Sequence, residues 1–227
     1  MAVAGVFPMM EYVLLGWPAD GPTLHLDHRR FAYAGKFVMS ATGKAVVRRE
    51  EEGEEEGQNG ALTTDASPTA PDGAEYDMEI LAAVAFDADR TDDRTLRLRY
   101  ITVRSDLKGE GLGPRLAAFV ASEAEDRGYD RVAIAVNNPF AYEAMYKAGF
   151  AWTGRESGLA ELVLDRPAGP LGRDATPDAG TYRAGLDAYR DRDLGNPEAS
   201  FLADRVGADP PDLVDAVDGG DPIDPDA

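Results

Sequence analysis

Cysteine is missing from all 227 residues, and that one absence removes disulfides, thiolate nucleophiles and cysteine-ligated zinc or iron–sulfur centres together. Chemistry in this chain rests on oxygen and nitrogen groups. Histidine is almost as scarce, with only His25 and His28, and two histidines alone make no metal site. No metal is expected, and the plain reading of both is as surface or turn residues. Long apolar runs are also lacking: no window of about 18 apolar residues exists to cross a bilayer. The opening MAVAGVFPMMEYVLLGWP has neither the basic start nor the long apolar stretch of a secretory leader. A cytoplasmic location without membrane contact is expected.

Positive charge is in short supply. Lys and Arg total 23 against 42 Asp and Glu, a net charge of -19, and only Lys36, Lys44, Lys108 and Lys147 are lysines. Such a surface repels nucleic acid and anionic lipid at long range, so neither is an expected partner. An acid-rich, lysine-poor surface fits a proteome adapted to high salt, such as that of a halophilic archaeon, where screening removes self-repulsion. The competing reading is an acidic interaction surface.

Residues 11–16 (EYVLLG) and 24–26 (LHL) read as short strands, and 31–39 (FAYAGKFVM) is apolar enough to be buried as helix or strand. Six of the seven residues 50–56 are glutamate, and with almost nothing to bury, 50–75 reads as a solvated, disordered insert. Beyond it, 78–86 (MEILAAVAF) and 96–104 (LRLRYITVR) form two strands joined by a turn-rich link, hence an antiparallel pair. Apolar residues at Leu112, Leu116, Phe119, Val120 and Ala124 make a helical stripe closed by Gly128. The strand 129–136 follows, and strand–helix–strand order predicts a parallel pair bridged by that helix. Asn138 or Asn137 caps a second helix running to Lys147, with Pro139 in its first turn and Gly149 ending it. FAWTG and LAELVLD (159–165) make a closing hairpin. From 168 to 227 the composition turns to Asp, Gly, Pro and Ala, with short amphipathic helices at 181–194 and 197–207 and an acidic tail. These readings divide the chain into a domain over 1–167 and an appendage over 168–227.

Asp106–Leu116 reads DLKGEGLGPRL, three glycines at alternate positions opening a helix. The P-loop pattern is absent, and the dinucleotide fingerprint fails because Pro114 or Leu116 stands where its last glycine belongs. ATP and NAD are unsupported. What remains is a strand feeding a bare helix entrance, whose first-turn amides lack internal partners and sit at the positive end of the dipole; glycines that admit a ligand closely make this a pyrophosphate cradle. The alternative is a turn that only swings strand into helix.

Asn138 lies 25 residues beyond Gly113, after a buried strand, and begins NPFAYEAMYKAGF. Taken together, Lys108-Gly109-Glu110-Gly111-Leu112-Gly113 resembles the Q/R-x-x-G-x-G/A signature of the GNAT superfamily of acyl-CoA-dependent N-acetyltransferases, and Asn138, Ala141, Gly149 and Phe150 fall at that family's spacing. The resemblance is specific over about 78–165, loose over 1–49 and absent from 168–227. It implies an α/β (mixed α+β) acyl-CoA N-acyltransferase fold, a central mixed sheet with helices on both faces. Lysine replaces the usual Gln or Arg at position 108 but keeps a cation for phosphate. The family's tyrosine acid position falls on Met145. Tyr146 is one residue on, a rotation of about 100°, and Tyr142 shares a face with both.

The resemblance further implies acetyl-CoA as co-substrate, its pyrophosphate on residues 109–114 (Gly109, Glu110, Gly111, Leu112, Gly113, Pro114) beside Lys108 and Asn138, and its arm along Ile101, Thr102 and Val103. Direct attack by an amine would need no enzyme nucleophile, with a backbone amide near Val103 for the oxyanion and Tyr146 or Tyr142 as candidate acid. Core packing is the competing reading of both tyrosines. Arg97 and Arg99 alternate with leucines and share one strand face; they either receive an anionic acceptor or form a solvated face bonded to carboxylates. The expected acceptor is a small-molecule amine or a protein amino group, with a homodimer left open. The alternative function is a non-catalytic acyl-CoA-binding or sensor module engaging a protein partner.

Overall fold

The computed structural model describes residues 10–39, 41–49, 74–172 and 176–215. Residues 50–73 of the expected acidic insert, and the acidic tail at 218–227, lie outside the described residues. Seven strands form one mixed sheet in the order β1 (Met10–Gly16), β2 (Gly43–Arg49), β3 (Ile80–Ala88), β4 (Thr95–Val103), β5 (Arg131–Val136), β7 (Leu162–Pro167), β6 (Ala151–Glu156). All neighbours are antiparallel except β4 and β5. That parallel step requires a crossover, supplied by α1 (Leu112–Asp126). A second crossover helix, α2 (Pro139–Lys147), joins β5 to β6, and α3 (Ala179–Arg190) and α4 (Asn196–Ala203) follow the last strand.

Alternation of side chains sorts the apolar residues into two cores. Tyr12, Leu14, Ala45, Val47, Val84 and Phe86 face α1, whereas Val13, Val46, Ile80, Ala83 and Ala85 face the other way. β3 is buried on both sides from Ile80 to Phe86. The second face, over β1 to β3, is roofed by Leu24, Leu26, Phe31, Ala34 and Phe37, a segment of loops with one 3-10 turn at Ala34–Lys36. Helix α1 buries Leu112, Leu116, Phe119, Val120 and Ala124, the stripe its spacing predicts; each large apolar side chain there contributes about 1.5–3 kcal/mol of transfer free energy.

Four local expectations change. Residues 24–26 are not a strand, and 31–39 is neither a regular helix nor a strand but the roof just described. Residues Gly43–Arg49, which carry no clear strand signal, form β2 between β1 and β3. The segment set apart from 168 onward does not stand off: Tyr182, Leu186 and Tyr189 of α3 and Leu202 of α4 are buried in the same core as α1. Aromatic rings weld it there, with Tyr182 packed 4.5 Å from Tyr146 and 5.9 Å from Tyr142, and Tyr189 edge-on to Tyr142. Among the described residues no helix is long and apolar enough to cross a membrane.

Candidate functional site

The site begins with a fault in β4. Phe86 pairs with Leu98 and Ala85 with Tyr100, so Arg99 is the extra residue of a β-bulge. A bulge bends its strand and increases its twist, and here it falls where parallel pairing ends. β4 and β5 are in register from Thr95–Arg131 to Leu98–Ile134 and no further. Beyond that point β4 keeps its bonds to β3 while Ala135 and Val136 pair with β7. The two parallel strands therefore part like the arms of a V. The Arg104 amide donates to the Leu81 carbonyl on the β3 side; by alternation, the amides and carbonyls of Ile101 and Val103 face the opening.

α1 opens at the mouth of this V. Gly109 (φ 91°) and Gly111 (φ 80°) hold left-handed backbone, which a side chain would oppose. Gly113 has a different reason to be bare: a Cβ there would already touch Val103 Cγ2 at 3.4 Å, so the helix entrance can lie close against β4. The first helical bond runs from the Arg115 amide to the Gly111 carbonyl. The amides of Gly111, Leu112 and Gly113 precede it and have no helical acceptor, and Pro114 has no amide to satisfy. Unpaired donors thus converge at the positive end of a 15-residue helix. On the opposite wall, Asn138 rather than Asn137 caps α2, its side-chain oxygen accepting from the Ala141 amide at 2.9 Å.

These parts enclose a cleft of about 660 Å³, within the range that holds a cofactor-sized ligand. Ile101, Thr102, Val103, Lys108, Gly109, Gly111, Leu112, Gly113, Pro114 and Asn138 all line it. Glu110 does not; its amide is engaged with the Leu107 carbonyl. Met145 lines the cleft too, while neither candidate tyrosine does. Tyr142 Oη donates to the carbonyls of Thr181 (3.1 Å) and Tyr182 (3.2 Å), and Tyr146 Oη to that of Pro177 (3.2 Å). Burial raises both phenols above their usual range, for Tyr142 with help from Tyr146 and for Tyr146 with help from the Asp178 charge. Arg97 and Arg99 are also absent from the lining. Each is paired with a carboxylate, Arg97 with Asp89 just past the end of β3 and Arg99 with Asp87 of β3, both at 2.5 Å.

Sequence reasoning did not single out the far wall. Phe140, Glu143 and Lys147 from α2 meet Glu198 and Phe201 from α4 there. Glu143 is buried yet accepts from Tyr182 Oη (2.9 Å) and, twice, from Arg205 (2.8 and 3.1 Å), with Lys147 Nζ at 3.3 Å. Burial by itself would raise the Glu143 carboxyl, but the hydrogen bonds from Arg205 and Tyr182 and the charge of Lys147 outweigh it and hold the group below its usual value. Among the described residues no cluster of His, Cys, Asp and Glu could hold a metal. His28 Nδ1 meets the Tyr76 hydroxyl at 3.4 Å and the His25 amide donates to Asp77, so both belong to the N-terminal roof.

Residues 38–150 match the family model described as "Acetyltransferase (GNAT) family". No curated protein matches the sequence. Among solved structures, nourseothricin acetyltransferase is similar at 16% identity and a TM-score of 0.40, over 70% of this chain and 98% of that one. An N-acetyltransferase from Staphylococcus aureus Mu50 is similar at 15% identity and 0.38, over 56% and 68%. The ribosomal-protein-S18-alanine N-acetyltransferase from Escherichia coli gives 18% and 0.33, over 43% and 68%.

Proposed function

Residues 38–150 of this chain belong to the GNAT acetyltransferase family, and from that premise we propose that the protein transfers an acetyl group from acetyl-CoA to a primary amine by direct attack. One observation carries the reading: β4 and β5 separate beyond Leu98 and Ile134 directly beside the unpaired amides of α1. The fit to such a donor is chemical. Amides of Gly109, Gly111, Leu112 and Gly113 suit a diphosphate, with Lys108 adding a point charge. The free edge of Ile101 and Val103 suits the amides of an extended arm, as a strand partner would.

When bound, acetyl-CoA supplies the activated acyl group as a thioester. The chain then has three tasks. It orients donor and amine, which by itself lowers the barrier because a two-body encounter becomes a positioned one. It offers a fixed backbone amide at Val103 to charge developing on the acyl oxygen. Finally, it lines the cleft with apolar Met145 and Val136, which disfavour water beside the thioester. No side chain acts as nucleophile. The acceptor amine loses its proton to solvent, which is easier for an α-amine of pKa about 7.8 than for a lysine near 10.4. The departing sulfur needs no tyrosine, since a thiol of pKa about 8.5 leaves acceptably as thiolate.

The orientation of Tyr142 and Tyr146 away from the cleft favours a second reading, a non-catalytic acyl-CoA-binding or sensor module of the same fold. The two readings part on turnover. Thiol release from acetyl-CoA, followed at molar KCl against a panel of small amines and peptide N-termini, is expected to rise with at least one acceptor. Binding of acetyl-CoA without release on any amine would favour the module, and no binding would refute both.

A further inference from the structure

The cleft lining is chemically mixed, and the proposed diphosphate site accounts for only part of it. Phe140, in the first turn of α2, also lines the cleft, with 42% of its surface exposed. Phe201 of α4 packs against it, ring centroids 4.6 Å apart at 56°. The pair is not loose. The Arg205 guanidinium lies 3.5 Å over the Phe201 ring, and Glu143 grips that guanidinium with two hydrogen bonds of 2.8 and 3.1 Å. Glu143 is itself anchored by Tyr182 of α3. One face of Phe201 is thus covered by a cation, and Phe140 is the more exposed of the two rings that line the cleft. Of this wall, Phe140 and Glu143 on α2 lie within the matched residues 38–150 and helix α4 lies outside them.

An immobilised, half-exposed aromatic ring in the same cleft as a set of unpaired amides suits a ligand with a planar base next to a diphosphate. We propose that Phe140, buttressed by Phe201, is the stacking platform for the purine base at the nucleotide end of the acyl donor. This rests on the reading of the cleft as an acetyl-CoA site and adds which residues hold the nucleotide.

The test is isothermal titration of the full chain at molar KCl with three probes: CoA, adenosine 3′,5′-bisphosphate and 4′-phosphopantetheine. Phe140→Leu keeps apolar bulk at an exposed position but removes the π face, and Phe140→Trp restores it. Because base–aromatic stacking is worth enough to change affinity about tenfold, Phe140→Leu should weaken CoA and the bisphosphate roughly tenfold, leave phosphopantetheine unchanged, and be rescued by Phe140→Trp. Phe201→Leu, checked for folding by thermal melting, should weaken the same two probes. Loss confined to phosphopantetheine, or no change for any probe, overturns the platform while leaving the donor site standing. A wild-type chain that binds neither CoA nor either fragment overturns the donor reading and the platform together.

Discussion

Replacing Tyr146 by phenylalanine separates a structural hydroxyl from a chemical one, because the two roles differ in size and in where the effect appears. Among the described residues the hydroxyl has one partner, the Pro177 carbonyl at 3.2 Å in buried surroundings. Deleting the donor forfeits a net hydrogen bond of about 1 kcal/mol and leaves an acceptor short of a partner, for a total of about 1–3 kcal/mol. In a chain of this length each kcal/mol lowers Tm by about 2–4 °C. A general acid contributes about 10²–10⁴-fold to rate. Since Tyr146 does not line the cleft, Tyr146→Phe is expected to lower Tm by several degrees while kcat stays within about twofold of wild type. The assay pairs a thermal melt with thiol release from acetyl-CoA, both at molar KCl. A hundredfold fall in kcat with an unchanged melt would refute the placement of this side chain outside the chemistry.

Tyr142→Phe should behave in the same way with a larger loss of stability, because two carbonyls lose their donor; melting and kcat report it together. Gly185→Ala would drive a methyl into the hydroxyl and ring of Tyr142, a fully buried side chain, and overpacking of this kind costs about 1–3 kcal/mol, visible as a lower urea midpoint. Glu143 has a folded pKa below its unfolded value of 4.5, so it contributes stability that is present above pH 4.5 and lost as pH falls through the folded value. Glu143→Gln should flatten that acid limb and cost about 1.5–3 kcal/mol at pH 7, measured by urea unfolding across pH 3–7. The double variant Arg97→Gln, Arg99→Gln breaks two partly exposed pairs worth about 0–1 kcal/mol each; CoA affinity and acceptor KM are expected to stay unchanged, and a raised acceptor KM would instead give these arginines a substrate.

What could be read in advance follows from where the physics leaves a compositional trace. Left-handed turns and close approach demand glycine, so Gly109, Gly111 and Gly113 marked the bare entrance of α1 residue by residue, and a cap demands a short polar side chain, so Asn138 marked the start of α2. The parting of β4 from β5 left a fainter mark. Leu96 and Leu98 face α1 at even positions and Ile101 and Val103 at odd ones, and that switch of parity is the bulge written in LRLRYITV. β2 escaped because its Lys44 reads as a polar strand end, whereas the buried ammonium is held by the Met39 and Thr42 carbonyls and the Thr42 hydroxyl at 2.6–2.9 Å. The direction of the tyrosines was illegible for another reason. It depends on α3, whose Tyr182, Leu186 and Tyr189 sit in a Gly-, Asp- and Pro-rich stretch with the look of an appendage, and only tertiary contact shows that they complete the core. The far wall of the cleft was lost with it.

Diffraction from crystals grown with CoA tests the central claim most directly. The account predicts diphosphate oxygens within hydrogen-bonding distance of the amides of Gly109, Gly111, Leu112 and Gly113, and the pantetheine arm lying between Ile101–Val103 and Ala135–Val136. Density for the diphosphate anywhere else, or strands β4 and β5 paired to their ends with no room between them, would contradict it.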